Sequence, residues 1–188
     1  MHRVTLVSGD GIGPEVTAAA RAVVEASGAR AMQLAVAKGA DRLLPRDIIT
    51  PKSVENALRV LLAIGGSTNA IVHLTAIAGR AGVEVSLKNL NQLSDSTPVL
   101  VDLKPTGQHY MSDLYGAGGV GAVMRELRSL LHLDCITVAG ITLGEALERQ
   151  PPWVDRTVVR TFNEPLAAQG GLVALFGSLA PNGAILKR

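Results

Sequence analysis

PRDIITPKSVENALRVLLAIGGSTNAIVHLTAIAGRAGV, residues 45–83, decides the fold class of this chain. Thr50 is a good N-cap, and Pro51 suits the first helical position, where a missing N–H is harmless. Val54, Ala57, Leu58, Leu61 and Leu62 then recur on one helical face. Gly65-Gly66 stops that helix, and Ser67 is placed to cap a second one through Ile71, Leu74 and Ala78 toward Gly82. His73 lies inside the Ile71–Leu74 run and reads as a core histidine. The expectation is a helical hairpin closed by a tight Gly-Gly turn.

Upstream, Val4–Val7 is a short β-rich run leading into Gly9-Asp10-Gly11-Ile12-Gly13-Pro14-Glu15. Pro14 suits a first helical turn, and Glu15 complements the positive end of the helix dipole. Val16–Ala26 continues as helix and Gly28 ends it, while Ala31–Ala37 favours helix until Gly39 interrupts.

Downstream, Leu87–Ser94 reads as a short helix and Pro98–Leu103 as a buried strand, followed by a Pro105-Thr106-Gly107 turn. Gly118-Gly119 precedes a helix across Val120–Leu131, and Cys135–Val138 is a short strand candidate. Thr142 and Glu145 form a capping box that opens a helix ending before Pro151-Pro152. That proline pair with Trp153 is the expected domain boundary. Beyond it, Thr157–Arg160, Leu172–Phe176 and Ala184–Leu186 read as strands, with Asn182-Gly183 as a hairpin turn. A last strand beginning so close to Arg188 reads as truncation.

The composition excludes several classes. With 47% hydrophobic and 18% charged residues among 188, the chain is not disordered by composition. Net charge is +2 without a basic stripe, so nucleic-acid binding has no electrostatic support. One cysteine excludes an internal disulfide framework and fits a reducing compartment. No signal peptide is visible and no apolar run approaches the ~18 residues a membrane helix needs, so a soluble cytoplasmic protein is expected. Only 3% of residues are aromatic, and much of the aliphatic surface is expected to be covered by other protein.

The string GDGIGPEV within Val4–Gly28 resembles the opening of the isocitrate/isopropylmalate dehydrogenase family. That resemblance implies that Gly11, Ile12 and Gly13 lie near a nicotinamide cofactor; the plainer reading is a tight turn between strand and helix. Nothing after residue 30 matches that family's substrate, metal or catalytic residues.

From about residue 45 to 187, the ordered blocks GGSTNAIVHL, LVDLKPTGQHYM, AGGVGAVMREL, LHLDCITVAG and LAPNGAILK resemble the dihydroxy-acid and phosphogluconate dehydratase family. The resemblance implies removal of water from a sugar acid or 2,3-dihydroxy acid to give a 2-keto acid, with an iron–sulfur cluster and Mg2+. It also implies that the family's cluster cysteines and metal motif lie upstream of the matched blocks, with its catalytic serine downstream. Cys135 alone does not supply a cluster. No catalytic or metal-binding residue and no cofactor of the chain's own is therefore expected.

The expected fold is a partial dehydratase-type α/β domain followed by the first strands of a β-barrel-like domain. In domain terms, residues 1–30 are dehydrogenase-like, 31–150 dehydratase-like and 151–188 the start of a β-rich domain. Ser67, Thr68 and Asn69, after Gly-Gly at a helix start, suit a carboxylate or phosphate, or simply brace the turn. Lys104, Thr106, His109 and Tyr110 gather in a loop after a strand, where ligand-facing groups often sit. His132 and Cys135 have metal-like spacing, with a turn holding a buried cysteine as the plainer reading.

The leading expectation is a partial dehydratase that is inactive alone, completed by a small-molecule acid substrate and associating with itself or with a full-length dehydratase. A nicotinamide-binding fragment and a non-catalytic interaction module are the alternatives.

Overall fold

The computed structural model describes residues 43–188. Pro45–Thr137 and Ile141–Arg188 form one compact unit. Its helices are α1 (Pro45–Ile48), α2 (Pro51–Ile64), α3 (Asn69–Arg80), α4 (Leu87–Ser96), α5 (Met111–Gly116), α6 (Gly119–Glu126) and α7 (Leu143–Glu148). A 3-10 turn, Arg128–Leu130, follows α6, and β1 (Leu172–Gly177) and β2 (Ala180–Lys187) make an antiparallel hairpin. The fold is thus mixed α/β.

Helix α2 organises the unit because it is apolar on two sides. Val54, Leu58 and Leu62 pack with Ile71 and Ala78 of α3, Leu90 of α4 and Leu172 of β1. Ala63, with Val60 and Ile64 beside it, joins a second cluster built on Leu100, Val101, Leu114, Val123, Leu127 and Val159. The helix begins as its sequence dictates. Thr50 Oγ1 accepts the Ser53 N–H at 3.2 Å, and Ser53 Oγ accepts the Thr50 N–H at 2.8 Å. It ends where Gly65 takes φ 61°, a conformation glycine reaches without a Cβ penalty.

Helix α3 starts one turn position later than expected. Thr68, not Ser67, stands at its N-cap, and Ser67 Oγ instead accepts the Asn69 N–H at 3.2 Å. His73 is exposed, which corrects its reading as a core residue. Ile71 and Ala78 face inward, and a residue two positions past Ile71 lies about 200° round the helix.

The expected strands Pro98–Leu103 and Thr157–Arg160 form single antiparallel bridges, Val99 to Ala167 and Val101 to Val159. One buried extended segment is shared between two short partners, so neither pairing grows into a ladder. The expected strand Cys135–Val138 likewise reduces to one bridge, Ile136 to Thr142. The helix expected across Val120–Leu131 tightens after Glu126 into the 3-10 turn. At Thr142 the capping box forms as read, with Thr142 Oγ1 accepting the Glu145 N–H at 3.2 Å.

The hairpin turn also lies elsewhere than expected. Gly177 pairs with Ala180, so Ser178-Leu179 make the turn and Asn182-Gly183 lies within β2. Leu175 pairs with Ala184, leaving Pro181, Asn182 and Gly183 opposite Phe176 alone. Gly183, at φ 97°, lets β2 bulge there. A Cβ at that position would lie 3.0 Å from the Phe176 ring, which covers the glycine as an aromatic neighbour often does.

The hairpin is not detached from the helices. Asn91 of α4 donates to Ala174 O at 2.8 Å and accepts the Ala174 N–H at 2.7 Å. Ser94 Oγ donates to Leu172 O at 2.7 Å. Residues on both sides of Pro151-Pro152 therefore belong to the same compact unit.

Candidate functional site

Residues 102–110 fold into a loop that satisfies itself. Gly107 N–H donates to Leu103 O at 2.7 Å, and Lys104 N–H donates to His109 O at 2.9 Å. Asp102 Oδ1 accepts the Gln108 N–H at 3.1 Å. A Cβ on Gly107 would stand 2.6 Å from Leu103 N, so this turn admits no side chain. Lys104 Nζ donates to Tyr110 Oη at 2.6 Å. His109 lies between Asp102 and Asp113, 3.9 Å and 3.8 Å from their carboxylate oxygens. Lys104, His109 and Tyr110 are thus brought together, as their spacing suggests, but chiefly as one another's partners.

Thr106 and Gly107 face a cleft of about 460 Å3. Val99, Val101 and Leu166 give it an apolar wall, while Asp102, Gln169 and Arg188 bring polar groups. Its size and mixed lining suit a small amphipathic molecule. Gly171, on another wall, packs so tightly against the first turn glycine that a Cβ there would lie 2.6 Å from Gly65 Cα. The Gly-Gly turn therefore braces this cleft from behind. Ser67, Thr68 and Asn69 do not line it; Ser67 and Asn69 face outward. Gly11, Ile12 and Gly13 lie outside the described residues.

Sequence reading missed a second cluster, at the N-terminal half of α2. His132 Nε2 lies 3.1 Å from Glu55 Oε2, and Arg59 Nη2 lies 3.1 Å from Glu55 Oε1. Burial pushes the Glu55 carboxyl up, but the His132 and Arg59 hydrogen bonds together outweigh it and hold the group below its ordinary range. Lys52 pairs with Asp134; that hydrogen bond raises the ammonium pKa and lowers the carboxylate. Asn56 receives the His132 N–H at 2.8 Å, donates to His132 O at 2.9 Å, and lies 3.7 Å from Cys135 Sγ. Burial pushes the Cys135 thiol up, which disfavours the thiolate that binds metals.

The His132 imidazole thus pairs with Glu55, whereas Cys135 Sγ faces Asn56. Among the described residues, no group of three or more His, Cys, Asp and Glu is placed to hold a metal. An iron–sulfur cluster does not fit what this chain offers: one cysteine in the sequence, half-buried and held as a thiol.

Residues 6–146 match the family model for the N-terminal part of dihydroxy-acid/6-phosphogluconate dehydratases. The chain belongs to that family. It is 50% identical over 149 residues to a dihydroxy-acid dehydratase of Albidiferax ferrireducens, covering 77% of this chain and 26% of the relative. Against the dihydroxy-acid dehydratase of Dehalococcoides mccartyi it is 39% identical over 180 residues, 96% of this chain and 32% of the relative. Against that of Caldicellulosiruptor bescii the identity is 44% over 182 residues, with the same two coverages. The chain spans about a quarter to a third of the length of these curated relatives.

The comparisons give no support to the dehydrogenase resemblance of Val4–Gly28. The dehydratase match begins at residue 6 and so takes in Gly11, Ile12 and Gly13. No helix among the described residues is long and apolar enough to cross a membrane.

Proposed function

We propose that this chain is a scaffold segment of a cytoplasmic hydro-lyase that acts on a sugar acid or a branched 2,3-dihydroxy acid. In that reaction a base removes the C2 proton and the C3–O bond breaks. The 3-hydroxyl departs as water, and the resulting enol becomes the 2-keto acid. The iron–sulfur cluster and Mg2+ associated with the family would supply the Lewis acid. The single observation that carries the reading is the 141-residue family match, residues 6–146.

The donor set of the described residues supports a further clause of the proposal: the 188-residue polypeptide alone has no dehydratase turnover. With one half-buried thiol in the chain and no grouped metal ligands among the described residues, the described part offers no seat for the cluster. Ser67, Thr68 and Asn69 are proposed as carboxylate contacts in a completed protein, supported by the outward placement of Ser67 and Asn69 at the start of α3. Residues 151–188 are proposed to lead into a β-rich domain, supported by the position of the β1–β2 hairpin at that end.

The test is keto-acid formation from a branched 2,3-dihydroxy acid and from a sugar acid. The purified chain is assayed after anaerobic treatment with iron, sulfide and Mg2+, beside a full-length dehydratase treated identically. The expected result is turnover by the full-length enzyme only. Keto acid formed in proportion to the 188-residue chain would overturn the claim of inactivity.

A further inference from the structure

The extended residues Val99 to Leu103 pair along both edges. On one edge, Asp102 N–H donates to Val158 O at 3.0 Å and Arg160 N–H donates to Leu100 O at 2.7 Å, bracketing the bridge between Val101 and Val159. In an antiparallel bridge of this kind the central residues turn their own N–H and C=O groups to the opposite edge. On that opposite edge Val99 N–H donates to Ala167 O at 2.9 Å, and Val101 O accepts the Leu103 N–H at 3.1 Å. The Val101 N–H has no acceptor there among the described residues. Val101 is only 3% exposed, and it lines the cleft of about 460 Å3 beside the 102–110 loop. Buried backbone donors are almost always paired, so an orphan in a cleft wall calls for an acceptor from outside the chain.

The charged groups of the same cleft narrow the chemistry of that acceptor. Asp102 Oδ1 accepts the Gln108 N–H, whereas Oδ2 has only a longer contact, 3.9 Å, with His109 Nε2. Arg188 Nη2 lies 3.8 Å from Asp95 Oδ1, beyond hydrogen-bond length, and that oxygen already accepts from Gln169 Nε2 at 3.2 Å. The guanidinium therefore keeps donors for a ligand, in the planar fork that matches a carboxylate. Val99, Val101 and Leu166 supply an apolar wall between these groups and the cleft mouth offers room for an aliphatic chain.

One carboxylate and one guanidinium on a single cleft cancel in net charge. A plain aliphatic acid answers Arg188 but sets its charge against Asp102, and a plain amine answers Asp102 but opposes Arg188. A hydroxy acid can donate to Asp102, yet it keeps a net negative charge that the balanced cleft does not offset. An α-amino acid carries both charges on one carbon, with its side chain free to lie on the apolar wall. It also supplies the acceptor that the Val101 N–H lacks.

We propose that this cleft is a binding site for an α-amino acid with an aliphatic side chain. Its carboxylate is held by the Val101 N–H and Arg188, and its ammonium by Asp102 Oδ2. The proposal does not rest on the dehydratase reading, because binding is read on the chain itself and needs no turnover.

The test is isothermal titration calorimetry of the purified chain with L-norleucine. Three analogues each change one group: hexanoate lacks the ammonium, pentylamine lacks the carboxylate, and 2-hydroxyhexanoate exchanges the ammonium for a hydroxyl. Norleucine is expected to saturate with a Kd of about 1 mM or below, and each analogue to bind about tenfold more weakly or worse. Asp102→Asn keeps an oxygen for the Gln108 N–H while removing the charge, and Arg188→Gln removes the fork. Each is expected to weaken norleucine binding about tenfold with circular dichroism unchanged, while Val72→Ser, exposed on α3, leaves it unaltered. A second readout needs no substitution: in the 15N-labelled wild-type chain the Val101 amide proton is expected to move downfield and to exchange more slowly when norleucine is added.

Absence of saturable norleucine binding overturns the proposal. So does hexanoate or 2-hydroxyhexanoate binding as tightly as norleucine, which would assign the cleft to acids without an ammonium. A Val101 amide that norleucine leaves unmoved would mean that water satisfies this donor, and equally overturns it.

Discussion

Replacing Asn91 tests how the hairpin is held to the helices. Its side-chain amide acts as a short stretch of partner backbone, giving one donor and one acceptor to Ala174 at 2.8 and 2.7 Å. Ala174 is 3% exposed, so water does not readily replace these bonds. Asn91→Leu keeps comparable bulk and leaves a buried N–H and a buried C=O unpaired. At about 1–3 kcal/mol for each group, the expected loss is about 3–4 kcal/mol. Against a typical total of roughly 5–15 kcal/mol, that is a large fraction. Asn91→Asp separates the two halves of the clamp. Its carboxylate still accepts from the Ala174 N–H but faces the Ala174 carbonyl as a second acceptor, whereas the neutral acid can donate there. The folded-state pKa is therefore raised, and the stability it confers is present at low pH and lost as pH rises through ~4 and above. Urea unfolding followed by circular dichroism gives both quantities. The clamp argument fails if Asn91→Leu lies within about 0.5 kcal/mol of wild type, or if Asn91→Asp shows no relative gain near pH 4.

Three further substitutions probe other positions. Gly171→Ala places a Cβ 2.6 Å from Gly65 Cα, where two backbones cross and neither can yield like a side chain. Urea unfolding is expected to show a loss of about 2–3 kcal/mol. Gly79→Ala, in α3 with nothing within 4 Å of the new Cβ, is expected to gain about 0.5–1 kcal/mol from helix propensity. Glu55→Gln removes a carboxylate whose pKa the folded state holds below its ordinary value of 4.5. The stabilisation it confers is present above that value and is lost as pH falls below it. Wild type should therefore lose melting temperature more steeply than Glu55→Gln between about pH 5 and 3, and parallel curves would show that the His132–Glu55–Arg59 contacts contribute little.

Some of this fold could be read because its signals are local. Thr50-Pro51 opens α2, Gly65 closes it at positive φ, and the Thr142–Glu145 box opens α7; each rests on contacts within a few residues. The loop gathering Lys104, His109 and Tyr110 was legible for the same reason. Asn56 and Asn91 were not, since their backbone partners lie 76 and 83 positions away and an isolated asparagine carries no mark of them. Asn182-Gly183 has the composition of a hairpin turn, but pairing of Gly177 with Ala180 places the turn earlier and turns the dipeptide into a bulge. The family was legible from ordered blocks, whereas the first 30 residues invited a different reading because a Gly-rich loop is a recurrent local solution.

The two asparagine clamps also bear on function. Active sites commonly keep polar groups whose partners are supplied by substrate or cofactor. Here, among the described residues, every buried side-chain nitrogen or oxygen has a partner within the chain. Asn56 spends its amide on the His132 backbone, Asn91 on Ala174, and Ser94 on Leu172 O. Glu55, the half-buried carboxylate of the α2 cluster, is held by His132 and Arg59. A carboxylate kept ionised by two partners at 3.1 Å is poorly suited to take a C2 proton, because protonation would forfeit both contacts. These groups are spent on fixing α2 between two apolar clusters and on holding a cleft beside the 102–110 loop. The arrangement makes the described residues a rigid wall whose buried polar side chains are engaged within the chain.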